Sequence, residues 1–232
     1  MFCYNHETLT RTAVSQLPPA RDYDVLFVDD GSTDETPNVV AAVRGTELIR
    51  HPENRGIGAA IRTAIHHARK RGYRFIVIMA GNGKDDFREA PRLLAPLLED
   101  SADYVQGSRF LSGGAFENLP LTRLLLLRVH ALVFALVTGR RTTDASNGFR
   151  AYRLSLFDDP KINIDQAWLD RYELETYLHV KVHWLGYRVK EVAVSKTYPE
   201  KKTGLKYSHI RPFIDWWSIL SPILLLALRI KK

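Results

Sequence analysis

The sequence predicts an α/β fold, a mostly parallel sheet flanked by helices, and three observations carry it. Asp24-Val25-Leu26-Phe27-Val28 and Phe75-Ile76-Val77-Ile78-Met79 are short apolar runs bounded by polar residues, the pattern of parallel strands buried on both faces. As far as Val105 such runs alternate with segments of helical period, as βαβ units do. The polar residues gather where these runs end, in Asp29-Asp30-Gly31-Ser32-Thr33-Asp34 and in Ala80-Gly81-Asn82-Gly83-Lys84-Asp85-Asp86. The carboxyl ends of the strands are where open α/β sheets bind ligands.

Taken in order, the chain begins with a stub, Met1 to Cys3, before Tyr4-Asn5-His6-Glu7, and Thr8 to Leu17 can form a first helix ahead of Pro18-Pro19. A doubly wound sheet normally opens on a full strand, so either this first strand is a truncated stub or upstream sequence is missing. After Asp30, Gly31 allows a sharp turn. Thr36 and Pro37 read as the N-cap and first residue of a helix that Gly45 ends. Thr46 to Arg50 is a short strand. His51 to Gly58 forms a turn into a helix with Ile57, Ile61, Ala64, Ile65 and Ala68 on one face and Gly72 as its stop. Its other face, with Arg62, His66, Arg69 and Lys70, reads as solvated. Glu89 to Leu98 is helical, and Ala102 to Val105 is a strand leading to Gly107-Ser108-Arg109-Phe110.

The second half changes character. Leu119 to Val137 is apolar on nearly every side yet contains Arg123, Arg128 and His130. These charges argue against a bilayer span and leave either burial in the domain or an interfacial helix. Asp144-Ala145-Ser146-Asn147-Gly148-Phe149-Arg150 follows, then a helix from Arg171 to Trp184, a strand from Arg188 to Val194 and a basic loop from Lys196 to Lys206. The end, Ile214 to Leu228, combines Trp216-Trp217 with a leucine-rich run and the cations Arg229, Lys231 and Lys232. That composition suits a membrane–water interface. The expected organisation is one domain over 1–208 and a C-terminal amphipathic segment over 209–232.

Composition narrows the partners. The 232 residues carry a formal net charge of +7 and are 45% hydrophobic, enough for a substantial core. The charge suits nucleic acid, an anionic membrane face or phosphorylated substrates. No nucleic-acid-binding motif is present and the acidic strand end argues against one. Cys3, the single cysteine, cannot form an internal disulfide and fits a reducing compartment. No secretory signal and no uninterrupted apolar run of about 18 residues occurs. The expected location is therefore cytoplasmic, peripheral on the inner face of a membrane.

A carboxylate at Asp29 or Asp30 could accept from a nucleotide base or a ribose hydroxyl, or could be a solvated acid in a strand-end turn. The order of motifs bears on the choice. Tyr4-Asn5-His6-Glu7, Val28 to Asp34, Asn54-Arg55-Gly56, a strand ending near Asn82, Gly107-Ser108-Arg109-Phe110, and Asp144 with Asn147-Gly148-Phe149-Arg150 together resemble family 2 glycosyltransferases. The branch they resemble is the dolichol-phosphate mannosyltransferase and polyprenyl-phosphate glycosyltransferase group. The resemblance implies a GT-A fold, a nucleotide-sugar donor, inversion at the anomeric carbon and a lipid-phosphate acceptor. It places Tyr4, Asn5, His6, Val28, Asp29, Asp30, Arg55, Ala80 and Asn82 around the donor.

One departure from that family stands out. The family usually carries Asp-x-Asp after the central strand, often with Gln two residues on, holding Mg²⁺ or Mn²⁺ against the diphosphate. Here the positions are Ala80, Asn82 and Lys84. A hard cation wants several oxygen ligands, preferably carboxylates. Either Lys84 partly replaces the cation, or Asn82 with Asp85 or Asp86 supplies weak ligands, or the protein is a nucleotide-sugar-binding pseudoenzyme. Lys84 and Arg109 are candidates to stabilise the leaving diphosphate. Arg109, Arg123, Arg150 and Lys206 are candidates for an acceptor phosphate. Asp144 is the first choice of base if the acceptor is instead a soluble or glycan hydroxyl, while Glu173 and Glu175 read equally as structural ion-pair partners.

Overall fold

The computed structural model of the chain describes residues 1–18, 20–199 and 214–231. Lys206 and the basic loop beyond Pro199 lie outside the described residues. Three parallel strands, β1 (Phe2–Cys3), β2 (Val25–Asp29) and β3 (Thr46–Arg50), pair in the order β1-β2-β3. A second sheet has the order β4-β7-β5-β8, formed by β4 (Phe75–Ile78), β5 (Tyr104–Ser108), β7 (Arg150–Arg153) and β8 (Val189–Ala193). A parallel bridge from Phe2 to Ala80 and a 2.8 Å bond from the Gly81 amide to the Phe2 carbonyl join the two. The result is one sheet in the order β3-β2-β1-β4-β7-β5-β8, with the two-residue β1 between its halves. A separate ribbon pairs β6 (Ala115–Glu117) with β9 (Ser195–Thr197) in parallel.

Helices cover both faces, as parallel strands require. One face carries α3 (Ile57–Lys70), α5 (Leu121–Thr138), α6 (Glu173–Trp184) and α7 (Ile214–Ala227), with Ile65, Tyr104, Phe134, Tyr152, Tyr177 and Ile223 in the core. The other carries α1 (Glu7–Ser15), α2 (Thr36–Ala41) and α4 (Ala90–Leu98) over Phe27, Val40, Leu93, Val105 and Ala151. The period-two alternation is visible across β5 and β7: Tyr104 and Tyr152 point one way, Val105 and Ala151 the other.

Several expectations need correction. Strand β7 is antiparallel to both of its neighbours, and its four residues, Arg-Ala-Tyr-Arg, carry too short an apolar pattern to be read as a strand. The strand β9 falls in the segment read as a basic loop. Thr36 is the first residue of α2 rather than its cap, and its hydroxyl accepts from the His6 amide at 3.0 Å. The basic face of α3 is not simply solvated. Arg62 pairs with Asp170, His66 lies 2.8 Å from Asp165, and Arg69 pairs with Asp158, so that face holds the 158–170 segment.

Helix α5 is not a buried helix. Only His130 and Phe134 are buried along it, while Leu125, Leu132 and Leu136 are 59%, 59% and 76% exposed. Among the described residues it is the one helix long and apolar enough, by length and composition, to cross a membrane, where the sequence reading expected no such segment. Its arginines turn to the domain instead: Arg123 lies 5.3 Å from the Tyr198 ring centre and Arg128 4.2 Å from that of Phe110. Helix α7 contributes Ile223 and Leu226 to the core and leaves Trp217 and Leu224 exposed.

Under α5 lies a histidine cluster. Phe134 and His179 are 4.3 Å apart between ring centres, and His179 and His183 4.9 Å. Burial, with Arg150 adjacent, pushes His130 down to about 4 and His179 well below its ordinary value. Both therefore fold in the neutral form. The stability they contribute is fully present above the unfolded value of about 6.5 and is lost as pH falls towards the folded values. The urea midpoint should accordingly decline between pH 6.5 and pH 4, with a shallower decline in His179→Phe. A midpoint independent of pH over that window would contradict this account.

Candidate active site

The carboxyl ends of β1, β2 and β4 meet at one cavity of about 720 Å³. The two aspartates after β2 behave differently. Asp29 is fully buried; its carboxylate accepts from the Ser32 amide at 3.3 Å and lies 3.2 Å from Arg50 Nε, so it closes the turn. Asp30 lines the cavity and accepts from the amides of Arg55 at 3.0 Å and Gly56 at 2.7 Å, with His51 Nδ1 2.7 Å away. It is thus an anchor for the 54–56 turn as well as a cavity wall. Gly58 seats that turn: a Cβ there would stand 1.9 Å from the Leu169 carbonyl oxygen, and the Gly58 and Ala59 amides bond Arg171 and Asp170 carbonyls. The first turn of α3 is therefore spent on the protein itself.

The other expected donor residues divide as well. Tyr4, His6, Ala80 and Asn82 line the cavity. Asn5 is in the left-handed region at φ 47°, and its side-chain oxygen accepts from the Thr33 amide at 2.8 Å, so it shapes the loop. Val28 is wholly buried against Ala60 and Ala64. Arg55 is exposed, and its amide rather than its side chain meets Asp30.

The opposite wall is cationic. Tyr198, fully buried, is its hub: Arg109 Nη1 donates to its hydroxyl at 2.5 Å, Arg123 lies over its ring, and Lys84 Nζ stands 6.0 Å from the ring centre. Lys196 donates to Asp85 Oδ1 at 2.5 Å and to Asn147 Oδ1 at 3.0 Å. Lys84 keeps surface open to the cavity but lies deep in the protein. Burial, then the charges of Lys196 and Arg123, lower it to about 7. Glu175 shares this wall, and burial raises its carboxyl above the usual range. Its Oε1 has no protein partner.

Asp144 is not placed as an open base. Its oxygens accept from Arg109 Nε and Nη2, both at 2.7 Å, and its side chain is 1% exposed. Burial alone would raise it, but the Arg109 guanidinium outweighs burial and holds it below the carboxylate range. Arg109 faces the cavity with Asp144 behind it. Arg150 also reaches the cavity, yet its donors go to the carbonyls of Asn147 at 2.7 Å, Ala145 at 3.2 Å and Glu175. It braces the 144–149 loop more than it offers a phosphate site. Glu173 accepts from Ser218 on α7. Of the expected acceptor cations, Arg109 and Arg123 come together here, and Lys206 lies outside the described residues. Lys196 and Tyr198 were missed, and the one available signal was the basic tract in which they sit.

The residues at the expected metal position do not fit a divalent ion. Ala80 offers no side-chain oxygen, Asn82 one neutral oxygen already 3.4 Å from the Lys84 amide, and Asp85 is tied to an ammonium. Asp86 is spent on Arg88. Among the described residues no group of three or more His, Cys, Asp or Glu side chains could hold a metal ion.

Removing the charge of Asp144 would strand Arg109 in the interior. Asp144→Asn should cost about 3–5 kcal/mol, lowering Tm by on the order of 10 °C for a chain of this size. Asp86→Asn, at a partly exposed pair, should change Tm little. Equal thermal shifts in the two variants would contradict the structural weight given to the Arg109–Asp144 pair.

Comparison with known proteins completes the description. Residues 1–159 match the model of Glycosyl transferase family 2. The UDP-N-acetylglucosamine–dolichyl-phosphate N-acetylglucosaminyltransferase of Methanococcus voltae is 26% identical over 215 residues, covering 85% of this chain and 84% of that protein. The undecaprenyl-phosphate mannosyltransferase of Micrococcus luteus is 30% identical over 186 residues, covering 78% and 74%. Among solved structures, glucosyl-3-phosphoglycerate synthase from Mycobacterium tuberculosis, in complex with Mn²⁺, uridine diphosphate and phosphoglyceric acid, superposes with a TM-score of 0.70 at 15% identity, covering 100% of this chain and 78% of that one.

Proposed function

The chain belongs to glycosyl transferase family 2, with the GT-A fold, and we propose on that premise that it moves a sugar from a nucleotide-sugar donor to the phosphate of a polyprenyl-phosphate lipid. The observation that carries the acceptor is the make-up of the cavity wall. Leu126, Leu127 and Val129 of α5 and Ile219 and Leu220 of α7 line the same cavity as Arg109, Arg123, Lys84 and Lys196. An apolar approach ending in a cationic wall suits an amphipathic anion. The names of the Methanococcus and Micrococcus relatives support the same acceptor class.

The mechanism follows from that pairing. A phosphate monoester is largely dianionic near pH 7, its second pKa being about 6, so it attacks without a strong base. One of its oxygens bonds the anomeric carbon while the bond from that carbon to the diphosphate breaks. The electron pair leaves with the nucleoside diphosphate, and a single displacement inverts the centre. The chain's own task is to position two anions and stabilise the charge on the leaving one. Tyr4, His6 and Asp30 lie on the donor side of the cavity, and Arg109 and Arg123 on the acceptor side. Arg123→Ala should lower kcat/KM for the lipid phosphate at least about tenfold, the worth of one charge-assisted contact, with a smaller effect on donor KM. Partition of labelled sugar from UDP- and GDP-sugars into an organic phase reads the transfer. Failure to label polyprenyl phosphate from any of these donors would refute the acceptor assignment.

We place the reaction at the inner face of a membrane, with the protein peripheral. Support comes from the outer stripe of α5, Leu121, Leu125, Leu132 and Leu136, all exposed at helical spacing, and from the exposed cations Arg140 and Arg141 after α5 and Arg229 and Lys231 after α7. Apolar insertion contributes roughly 25 cal/mol per Å² and each cation near an anionic leaflet about 1 kcal/mol. The amphipathic segment 209–232 takes part through the outer face of α7, whose inner face is core. Co-sedimentation with anionic liposomes should be salt-sensitive and reduced in Leu125→Glu/Leu132→Glu. Equal absence of binding to neutral and anionic vesicles would refute this placement.

One observation favours a second reading. Glu175 lies on the cavity wall with a carboxyl that burial raises, a property that suits a general base. Transfer to a soluble hydroxyl acceptor, lost in Glu175→Gln, would establish that reading instead.

A further inference from the structure

We propose that Lys84 and Lys196 bind the diphosphate of the donor directly, and that this site takes a nucleoside diphosphate without a divalent cation. The inference rests on the donor reading above and deepens it. Its basis is where the two lysines stand. Lys84 follows Ala80 and Asn82 on the loop after β4, and Lys196 reaches the same loop from β9 by its bond to Asp85. A cation drawn to Asp85 would have to displace an ammonium already 2.5 Å from its oxygen, in a site where Lys196 is also held by Asn147. The remaining side-chain donors at that place, the Asn82 oxygen and the second oxygen of Asp85, are too few for a hard cation to prefer over water.

The charge on this wall has the sign that suits the ligand. Asp144 balances Arg109, and Asp85 balances Lys196. Arg123 and Lys84 line the same cavity, Lys84 gains its full charge when an anion lies beside it, and a nucleotide sugar carries about two negative charges on its diphosphate at neutral pH. Lys84, Arg123 and Arg109 all converge on Tyr198, so an anion lying there would be within reach of all three. On transfer, the bond from the anomeric carbon to the diphosphate oxygen breaks and that oxygen keeps the electron pair. An ammonium donating to it stabilises the new charge, the part a metal plays in related sites. Lysine does this as a compact charge with three rotatable donors, which imposes no coordination geometry on the diphosphate.

Calorimetric titration of UDP and of GDP into the EDTA-treated full chain, with and without millimolar Mn²⁺, tests this without a turnover assay. For whichever nucleotide binds, we expect affinities within about threefold in the two conditions. Lys84→Met, close in length and shape, should weaken binding about tenfold or more in both, as loss of a charge-assisted bond predicts, while Lys84→Arg retains most of it. Circular dichroism and Tm establish that these variants fold. The triple change Ala80→Asp/Asn82→Asp/Lys84→Gln should make binding depend on Mn²⁺. Binding by the unaltered chain only when Mn²⁺ is present would overturn the inference and leave the donor reading standing. Absence of binding by both nucleotides in both conditions would overturn the two together.

Discussion

The buried ion pair between Arg109 and Asp144 is the constraint on which the cavity depends. It ties the end of β5 to the loop that returns into β7, and it holds the guanidinium so that one nitrogen reaches the Tyr198 hydroxyl. The loop is fixed from behind as well. Glu191 on β8 accepts from the amides of Thr143 at 2.8 Å and Asp144 at 3.2 Å, and Arg150 bonds three carbonyls around it. A buried pair of this kind adds little net stability over an apolar replacement, but losing one partner is severe. What it supplies is position: a permanent charge facing the cavity in one orientation.

The same division of labour runs through the site. Carboxylates are turned inward to hold backbone: Asp29 the 29–32 turn, Asp30 the 54–56 turn, Asp144 the β5 end. Cations are left facing the cavity. A site built this way suits the anions at both ends of the proposed transfer, donor diphosphate and acceptor phosphate. The histidines beneath α5 stay neutral through burial and so add no further charge to that wall.

Helices α5 and α7 give the site its second character. Each has two apolar faces with different tasks. The inner residues line the cavity or enter the core; the outer ones, such as Leu132, Leu136 and Trp217, meet solvent. An exposed apolar stripe of this extent marks an interaction surface. Because the two helices also wall the cavity, an acyl or prenyl chain lying along them would carry its headgroup towards Arg123. The proposed membrane contact and the proposed acceptor site thus fall on the same two elements.

Local pattern determined much of this before any contact was known. Apolar runs of strand length, glycine stops and the helical period of 57–70 set the α/β class and most elements, since each signal arises within one segment. The places where polar residues gather around one cavity were legible for the same reason, because strand ends fall where apolar runs stop. The antiparallel insertion of β7, the ribbon of β6 with β9, and the roles of individual charges were decided only by tertiary structure. Asp29 and Asp30 are identical in sequence, and their partners distinguish them: Ser32 and Arg50 for one, the Arg55 and Gly56 amides for the other. Asp144 reads as a free carboxylate until Arg109, 35 positions away, is found on it. Lys196 and Tyr198 became part of the site through contacts with Asp85 and Arg109, 111 and 89 residues distant in the chain. The function of a charge is set by what neutralises it, and in a folded chain that partner is seldom a neighbour in sequence.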